Sequence, residues 1–208
     1  MRWAEPLDDI LGSRAKIRLL RILAQSEFPL SGRAAARHAR LSHAGAISAI
    51  KELEESRIVL PSSDGSGIRF RLNRHHILVR RILGLFETEA GLDDRLAHEI
   101  TGLIPGTRSI TVFGSVARGE DAAGSDIDVL VIVEDGIDQD EAFDTLATLD
   151  SSLRLGKDLG PVVWTTSTLM LRNSEMSPLL QRVLAEGRSI FGPSIAELLM
   201  TRAGIDAG

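Results

Sequence analysis

Apolar residues in the first quarter of the chain recur at helical spacing. Between Leu7 and Leu23 they fall three and four positions apart, with one interruption, which predicts an amphipathic helix beginning near Ser13. The alanine- and arginine-rich segment Arg33–Ala39 predicts a short second helix. Ser42 is a suitable N-cap for a third helix that ends near Ser56. We therefore expect three helices in close succession.

The next segment has the pattern of two strands. Two β-prone runs, Ile58–Leu60 and Ile68–Leu72, flank a turn rich in serine, aspartate and glycine, which predicts a β-hairpin. In the second run apolar residues alternate with Arg69 and Arg71. One face of the hairpin can therefore pack, while the other presents two guanidinium groups.

In the rest of the chain helical and strand patterns alternate. Helical spacing returns from residue 77 to about 104 and predicts one long helix, or two with a break at Gly91. Strands are then expected at three places and helices at two: strands at Ser109–Phe113, Ile127–Val133 and Pro161–Thr165, and helices at Asp138–Leu155 and Pro178–Glu186. This order predicts an α/β or α+β sheet layer.

Composition adds a charge asymmetry to this picture. Residues 1–83 contain 15 Lys and Arg against 8 Asp and Glu, whereas residues 84–208 contain 9 against 21. A basic part joined to an acidic one suggests two domains with different partners, although an uneven surface alone would give the same counts. The chain contains no cysteine and no run of 18 apolar residues, so we expect a cytoplasmic protein without disulfides or a membrane partner.

Three short helices followed by a basic hairpin resemble a winged helix-turn-helix domain, over about Leu7 to Asn73. The resemblance implies double-stranded DNA as a partner. The small, polar start of the third helix would lie near base edges, and the arginines would neutralise phosphates. The candidate DNA-binding residues are Arg33, Arg37, Arg40, Ser42, His43, Ser48, Lys51, Arg69 and Arg71. A winged helix that docks a protein or dimerises remains the alternative.

Two aspartates stand at the head of the predicted strand Ile127–Val133. Residues i and i+2 of a strand point to the same side, so Asp126 and Asp128 would present their carboxylates together. Two like charges this close repel each other unless a cation lies between them. Oxygen ligands suit Mg²⁺, which can also bridge to phosphates. Asp126 and Asp128 are therefore the candidate metal-binding residues.

A glycine-serine corner precedes this pair and is suited to phosphate. Gly114 and Ser115 end one predicted strand and open a helix, which places backbone N–H groups and a hydroxyl where a triphosphate can approach. Arg118, one turn further on, would add a cation for the same phosphates. Gly114, Ser115 and Arg118 are therefore the candidate nucleotide-binding residues, with a nucleoside triphosphate as ligand or substrate.

The letters FGS, ten residues and then DIDVLV resemble the signature of the polymerase-β-like nucleotidyltransferase superfamily. GSVARGE with SDID is similar to its minimal nucleotidyltransferase (MNT) branch, and the similarity extends from about Ile110 to Gly192. The resemblance implies transfer of a nucleoside monophosphate from an NTP to a hydroxyl, with Mg²⁺ held by Asp126 and Asp128, which are therefore also the candidate catalytic residues. It also implies a third carboxylate, on a later strand, that completes the metal site and helps to deprotonate the hydroxyl.

The sequence departs from that pattern at the third acid. No acid occurs from Pro161 to Thr168, and Val163 takes the aligned position, with Asp158 in the preceding loop as the substitute. Without this carboxylate, nucleotide and metal binding are expected to persist while turnover slows, since general-base assistance contributes roughly 10²–10⁴-fold in rate.

We therefore expect an α/β (α+β) protein with a winged helix-turn-helix domain at residues 1–76 and a linking helix or helices at 77–104. A nucleotidyltransferase-like mixed sheet with flanking helices would follow at 105–193 and a tail at 194–208. Three functions stay open: a DNA-binding transcription regulator whose second domain binds NTP and Mg²⁺, an active nucleotidyltransferase for a protein or small-molecule hydroxyl, and an antitoxin-like partner of a toxin-like protein. A homodimer is also an expectation, because winged-helix readers often bind two half-sites.

Overall fold

The computed structural model of the protein describes residues 6–63, 67–122, 124–149 and 156–203. The chain divides into two compact units, Met1–Ala90 and Gly91–Gly208. Some predictions lie outside the described residues: the hairpin turn at 64–66, the end of the predicted helix at 150–155 and the last part of the predicted tail at 204–208. Among the described residues, no helix combines the length and hydrophobicity needed to cross a bilayer.

The first unit consists of helices and a small antiparallel sheet. In chain order its elements are α1 (Pro6–Leu11), α2 (Arg14–Gln25), β1 (Leu30–Ser31), α3 (Gly32–His38), α4 (His43–Glu55), β2 (Val59–Ser63), β3 (Ile68–Leu72) and α5 (Ile77–Ala90). The strand order is β1-β3-β2, with both pairs antiparallel. The predicted helices and hairpin are confirmed, whereas the short strand β1 was not predicted because its residues look like a helix-breaking turn.

Serine hydroxyls determine where the helices of the first unit begin. The side chains of Ser13, Ser31 and Ser42 each accept a hydrogen bond from the backbone N–H three residues later. Each bond satisfies a donor that the first turn of a helix leaves without an intrahelical partner. A single apolar core, with Leu20, Ile50 and Phe70 among its buried members, lies between these helices and the sheet.

The second unit is a four-stranded sheet with helices on both faces. Its elements are α6 (Leu92–Leu103), β4 (Thr107–Phe113), α7 (Gly114–Arg118), β5 (Ile127–Val133), α8 (Gln139–Leu149), β6 (Leu159–Thr165), α9 (Thr166–Ser174), α10 (Pro178–Glu186), β7 (Arg188–Phe191) and α11 (Ile195–Ala203). The strand order is β6-β5-β4-β7, in which β5 and β6 are parallel and the other pairs antiparallel.

Strand β5 lies inside this sheet and is apolar on both sides. Val129 and Val131 pack in the core shared with α6 and α8, whereas Leu130 and Ile132 pack in the core shared with α9, α10 and α11. A strand covered on both faces gives a continuous apolar run instead of an alternating one. The letters VLVIV therefore mark a central strand, and the aspartates lie at its start.

Three elements of the second unit were not predicted from the sequence: β7, α9 and α11. Strand β7 is a short edge strand with mostly exposed side chains, so it has no strong apolar pattern. Helix α9 begins where Thr165 accepts a hydrogen bond from the backbone N–H of Thr168. Helix α11 lies in the segment expected as a tail, and its residues Ile195 and Leu198 are buried against the sheet.

Replacing Leu130 with alanine is expected to destabilise the second unit by about 2–5 kcal/mol, because the fully buried side chain leaves a cavity. Leu171→Ala is the matched control: this side chain is 54% exposed, so the change should stay within about 0.5 kcal/mol. Urea unfolding followed by fluorescence of Trp164, which is buried in this unit, measures both. Equal effects of the two substitutions would contradict the central position of β5.

Candidate functional site

The two aspartates lie at the start of β5, as the motif predicted. Asp126 immediately precedes the strand, and Asp128 is its second residue. In the sheet register Asp128 lies opposite Phe113 of β4 on one side and Gly160 of β6 on the other. The carboxylate of Asp128 therefore lies where the end of β4 turns into α7.

Two glycines make room for this carboxylate. Gly114 has φ of +72°, and a Cβ at that position would collide with Oδ2 of Asp128. A Cβ on Gly160 would lie 3.1 Å from Oδ1 of the same side chain. The glycine of the glycine-serine corner is thus required both for its left-handed backbone and for the approach of Asp128.

Electrostatics at the corner disfavour the charge of Asp128. Burial raises the pKa of Asp128, the nearby Arg182 and Arg118 act against that shift, and the charges of Asp126 and Glu186 add to it. An acid whose pKa is raised in the fold carries its charge at a cost in folding free energy at neutral pH. A bound cation would remove that cost.

The carboxylate of Glu186, the last residue of α10, lies against the glycine-serine corner. Its Oε1 accepts a hydrogen bond of 3.0 Å from the backbone N–H of Gly114, and its Oε2 accepts one of 2.5 Å from Nη1 of Arg118. Nε of Arg182 lies 3.3 Å from Oε1. The hydrogen bond from Arg118 is the main reason why the pKa of Glu186 is lowered.

The sequence predicted some of these residues and missed others. Gly114 and Arg118 both donate a hydrogen bond to Glu186 at the corner, and the half-buried Ser115 follows Gly114 in α7. Arg182 and Glu186 were missed, although their i, i+4 spacing on a predicted helix signals an ion pair. Nothing in the sequence places this pair beside Gly114, because the contact depends on how α10 packs on the sheet.

The structure corrects the position assigned to the third acid. Val163 lies opposite Val131, and both belong to the core on the face of the sheet away from Leu130. Side chains alternate along a strand, so Val163 does not face the aspartates.

The β6 residues on the same face as Asp128 are Gly160, Val162 and Trp164, and none of them is an acid. Asp158, the substitute considered from the sequence, is exposed, and its carbonyl oxygen accepts a hydrogen bond of 2.8 Å from the N–H of Ile127. Within residues 6–63, 67–122, 124–149 and 156–203, no three His, Cys, Asp or Glu side chains form a group that could hold a metal ion.

The candidate DNA-binding residues of the first unit are mostly exposed. Arg69 is half-buried in β3, and the hydroxyl oxygen of Ser42 caps α4 through a 3.1 Å bond from the N–H of Gly45. The others are exposed on α3, α4, β3 and the turn after α3: Arg33, Arg37, Arg40, His43, Ser48, Lys51 and Arg71. The guanidinium of Arg18 on α2 lies 3.5 Å from the carbonyl oxygen of Arg40, beside a small surface pocket.

A family model described as nucleotidyltransferase domain matches residues 96–171. This range runs from α6 to α9 and includes Gly114, Ser115, Asp126 and Asp128. This segment of the second unit is therefore similar to a nucleotidyltransferase domain, the class of domain that the motif predicted.

Among solved structures, a toxin-antitoxin crystal structure with AMP-PNP is 18% identical, with a TM-score of 0.40, over 55% of this chain and 86% of that chain. A mutant of the toxin-antitoxin MntA-HpeT is 20% identical, with a TM-score of 0.38, over 55% of this chain and 85% of that chain. A structure of tri-AMPylated Shewanella oneidensis HEPN toxin in complex with MNT antitoxin is 18% identical, with a TM-score of 0.35, over 56% and 87%. A search of curated proteins found no match to the chain.

Replacing Gly114 with alanine is expected to destabilise the second unit by about 1–3 kcal/mol from backbone strain alone, and by more because its Cβ meets Asp128. Gly119→Ala is the matched control: Gly119 has φ of +68° but nothing within 4 Å of its Cβ position. Urea unfolding should give a larger loss for Gly114→Ala. Equal losses would show that the glycine does not make room for the carboxylate.

Proposed function

We propose that the protein is a DNA-binding regulator whose second unit binds a nucleoside triphosphate with Mg²⁺ at the glycine-serine corner. The carboxylate pair at the head of β5 carries the proposal. Asp128 stands between two glycines that leave it room, beside Asp126, and its charge is disfavoured until a cation arrives. Such a costly pair is best explained by a ligand that uses it.

The residues at the corner fit Mg²⁺. Mg²⁺ prefers oxygen ligands, keeps several waters and is commonly held by one or two carboxylates together with substrate phosphates. Asp126 and Asp128 provide the two carboxylates. When bound there, the ion would neutralise phosphate charge and hold the triphosphate against the protein.

The phosphates would take the donors beside the carboxylates. The backbone N–H of Gly114 and the guanidinium of Arg118 already converge on one carboxylate, that of Glu186. Charge-assisted hydrogen bonds from arginine and backbone N–H groups are well suited to phosphate oxygens. The hydroxyl of Ser115, next to Gly114, would add a further donor.

Slow turnover is part of the proposal. In the related enzymes a third carboxylate assists removal of the acceptor proton, and the β6 positions beside Asp128 here are Gly160 and Val162. Loss of a general base lowers a rate by roughly 10²–10⁴-fold, whereas nucleotide binding does not need one. An active enzyme that labels a hydroxyl is the competing function, favoured by the intact pair of aspartates.

Mg²⁺-dependent binding of ATP or CTP to the full chain is expected in calorimetry. Asp126→Asn or Asp128→Asn should weaken it by at least about 10- to 100-fold, the range seen when even outer partners of a metal are changed. Asp158→Asn is the control: its exposed side chain should matter by no more than about twofold.

Two results would overturn this assignment of the site. Binding that survives both aspartate substitutions would place the metal elsewhere. The second result is rapid transfer of label from α-labelled ATP or CTP to a component of cell extract, with no transfer by Asp126→Asn. The protein would then be an active nucleotidyltransferase and not a slow one.

The DNA-binding part of the proposal rests on the exposed basic side chains of the first unit. Arg33 and Arg37 lie exposed on α3, Lys51 on α4 and Arg71 on the β2–β3 hairpin, which we call the wing. Helices α3 and α4 followed by the wing have the order of a winged helix-turn-helix, in which the later helix enters the major groove. Arginines at such positions supply phosphate contacts, which set affinity and salt dependence.

The double substitution Arg69→Ala and Arg71→Ala is expected to weaken binding to random duplex DNA and to lower the salt slope by about one unit for each phosphate that is no longer neutralised. Fluorescence anisotropy between low and moderate salt gives both quantities. Arg80→Ala with Arg81→Ala, two exposed residues of α5, removes the same charge from the same unit. An equal effect of the control pair, or no binding by the unmodified protein at low salt, would contradict the role of the wing.

A further inference from the structure

We propose that Glu186 is an internal competitor for the nucleotide's phosphate: its carboxylate holds the phosphate donors of the free protein and must leave when a triphosphate binds. This inference rests on the proposed function, since it concerns regulation of the same corner. Glu186 lies outside the motif of residues 113–133, at the C-terminal end of α10.

The contacts of Glu186 are those that a phosphate would make. One carboxylate oxygen accepts from the backbone N–H of Gly114 at 3.0 Å and lies 3.3 Å from Nε of Arg182, while the other accepts from Arg118 at 2.5 Å. A carboxylate and a phosphate both offer anionic oxygens that accept from arginine and backbone N–H groups. The same donors cannot fully serve both anions at once.

The position of Glu186 is otherwise unfavourable for a carboxylate. Glu186 is the last residue of α10, where the helix dipole disfavours negative charge. Its charge also repels that of Asp128. Hydrogen bonds from Gly114 and Arg118 and the ion pair with Arg182 offset these costs. The carboxylate therefore stays at the corner only while no anion that binds these donors more tightly is present.

The chain after Glu186 limits how the carboxylate can give way. A Cβ on Gly187 would collide with the carbonyl oxygen of Val183, and β7 begins at the next residue, Arg188, and pairs with β4. The backbone is therefore held by the sheet, and the side chain, which is 17% exposed, would leave by rotating toward solvent. The corner then has two states, one closed by Glu186 and one open to phosphate.

Competition of this kind lowers the apparent affinity by the fraction of molecules in the open state. Glu186→Gln keeps the shape and an oxygen for the N–H of Gly114, but it removes the charge that holds Arg118 and Arg182. Hydrogen bonds to charged groups are roughly twice as strong as neutral ones, so we expect MgATP to bind about tenfold more tightly to the variant.

Calorimetry of the full chain with MgATP, and separately with inorganic tripolyphosphate, tests this expectation. Both ligands should bind about tenfold more tightly to Glu186→Gln, since both compete for the same donors. Glu175→Gln is the matched control, because Glu175, the residue that follows α9, pairs with Arg172 at 3.2 Å. That variant loses the same charge from the same unit and should bind like the unmodified protein.

Several results would overturn the inference. Suppose that the unmodified protein binds MgATP and that Glu186→Gln binds it equally or more weakly. Glu186 then does not compete with the phosphates, whereas the proposed nucleotide site is retained. Loss of Mg²⁺ binding in Glu186→Gln, measured without nucleotide, would make Glu186 a metal ligand instead. If neither protein binds MgATP, both the proposed nucleotide site and the proposed competition by Glu186 are wrong.

A measurement on the unmodified protein covers the case in which Glu186→Gln fails to fold. The ¹⁵N and ¹H shifts of the Gly114 amide should move when tripolyphosphate is added, as its hydrogen bond passes from glutamate to phosphate. Glu186→Asp, whose shorter side chain keeps the charge but reaches the donors less well, should also bind more tightly. An unmoved Gly114 amide under saturating tripolyphosphate would contradict the displacement.

Discussion

The burial of the Asp128 carboxylate, close to Asp126, is the physical constraint around which the glycine-serine corner is arranged. The sheet fixes both residues at the head of β5, and burial raises the pKa of Asp128. Gly114 and Gly160 give that carboxylate the room it needs, and the backbone of Gly114 turns through a positive φ to do so. The charge of Asp128 therefore carries a cost in folding free energy, and this cost is the reason why we propose a cationic ligand beside it.

The donors around the pair form the second part of the same arrangement. Arg118 comes from the short helix after β4, and Arg182 and Glu186 come from α10, which packs on the sheet through Leu180 and Val183. The packing of α10 thus decides how the corner is charged when no nucleotide is present. The proposed metal ligands, the proposed phosphate donors and the glutamate bound to those donors all lie at one end of the sheet.

Strand β5 and helix α10 were predicted with the bounds that the structure has. The run VLVIV is buried on both faces, and Pro178 and Gly187 mark the ends of the helix, so both signals are local. Strand register is not local: Val163 was aligned beside the aspartates, whereas the parallel pairing places Gly160 opposite Asp128. The contact of Glu186 with Gly114 joins residues 72 positions apart, and only tertiary packing determines it.

A crystal structure of the full chain with Mn²⁺ and a non-hydrolysable triphosphate analogue would examine the corner most directly, because Mn²⁺ scatters anomalously and also favours oxygen ligands. We expect one anomalous peak in contact with both Asp126 and Asp128, phosphate oxygens on the N–H of Gly114 and on Arg118, and Glu186 turned away. An analogue bound elsewhere, or a peak that touches neither aspartate while Glu186 still holds Gly114, would contradict the proposed site.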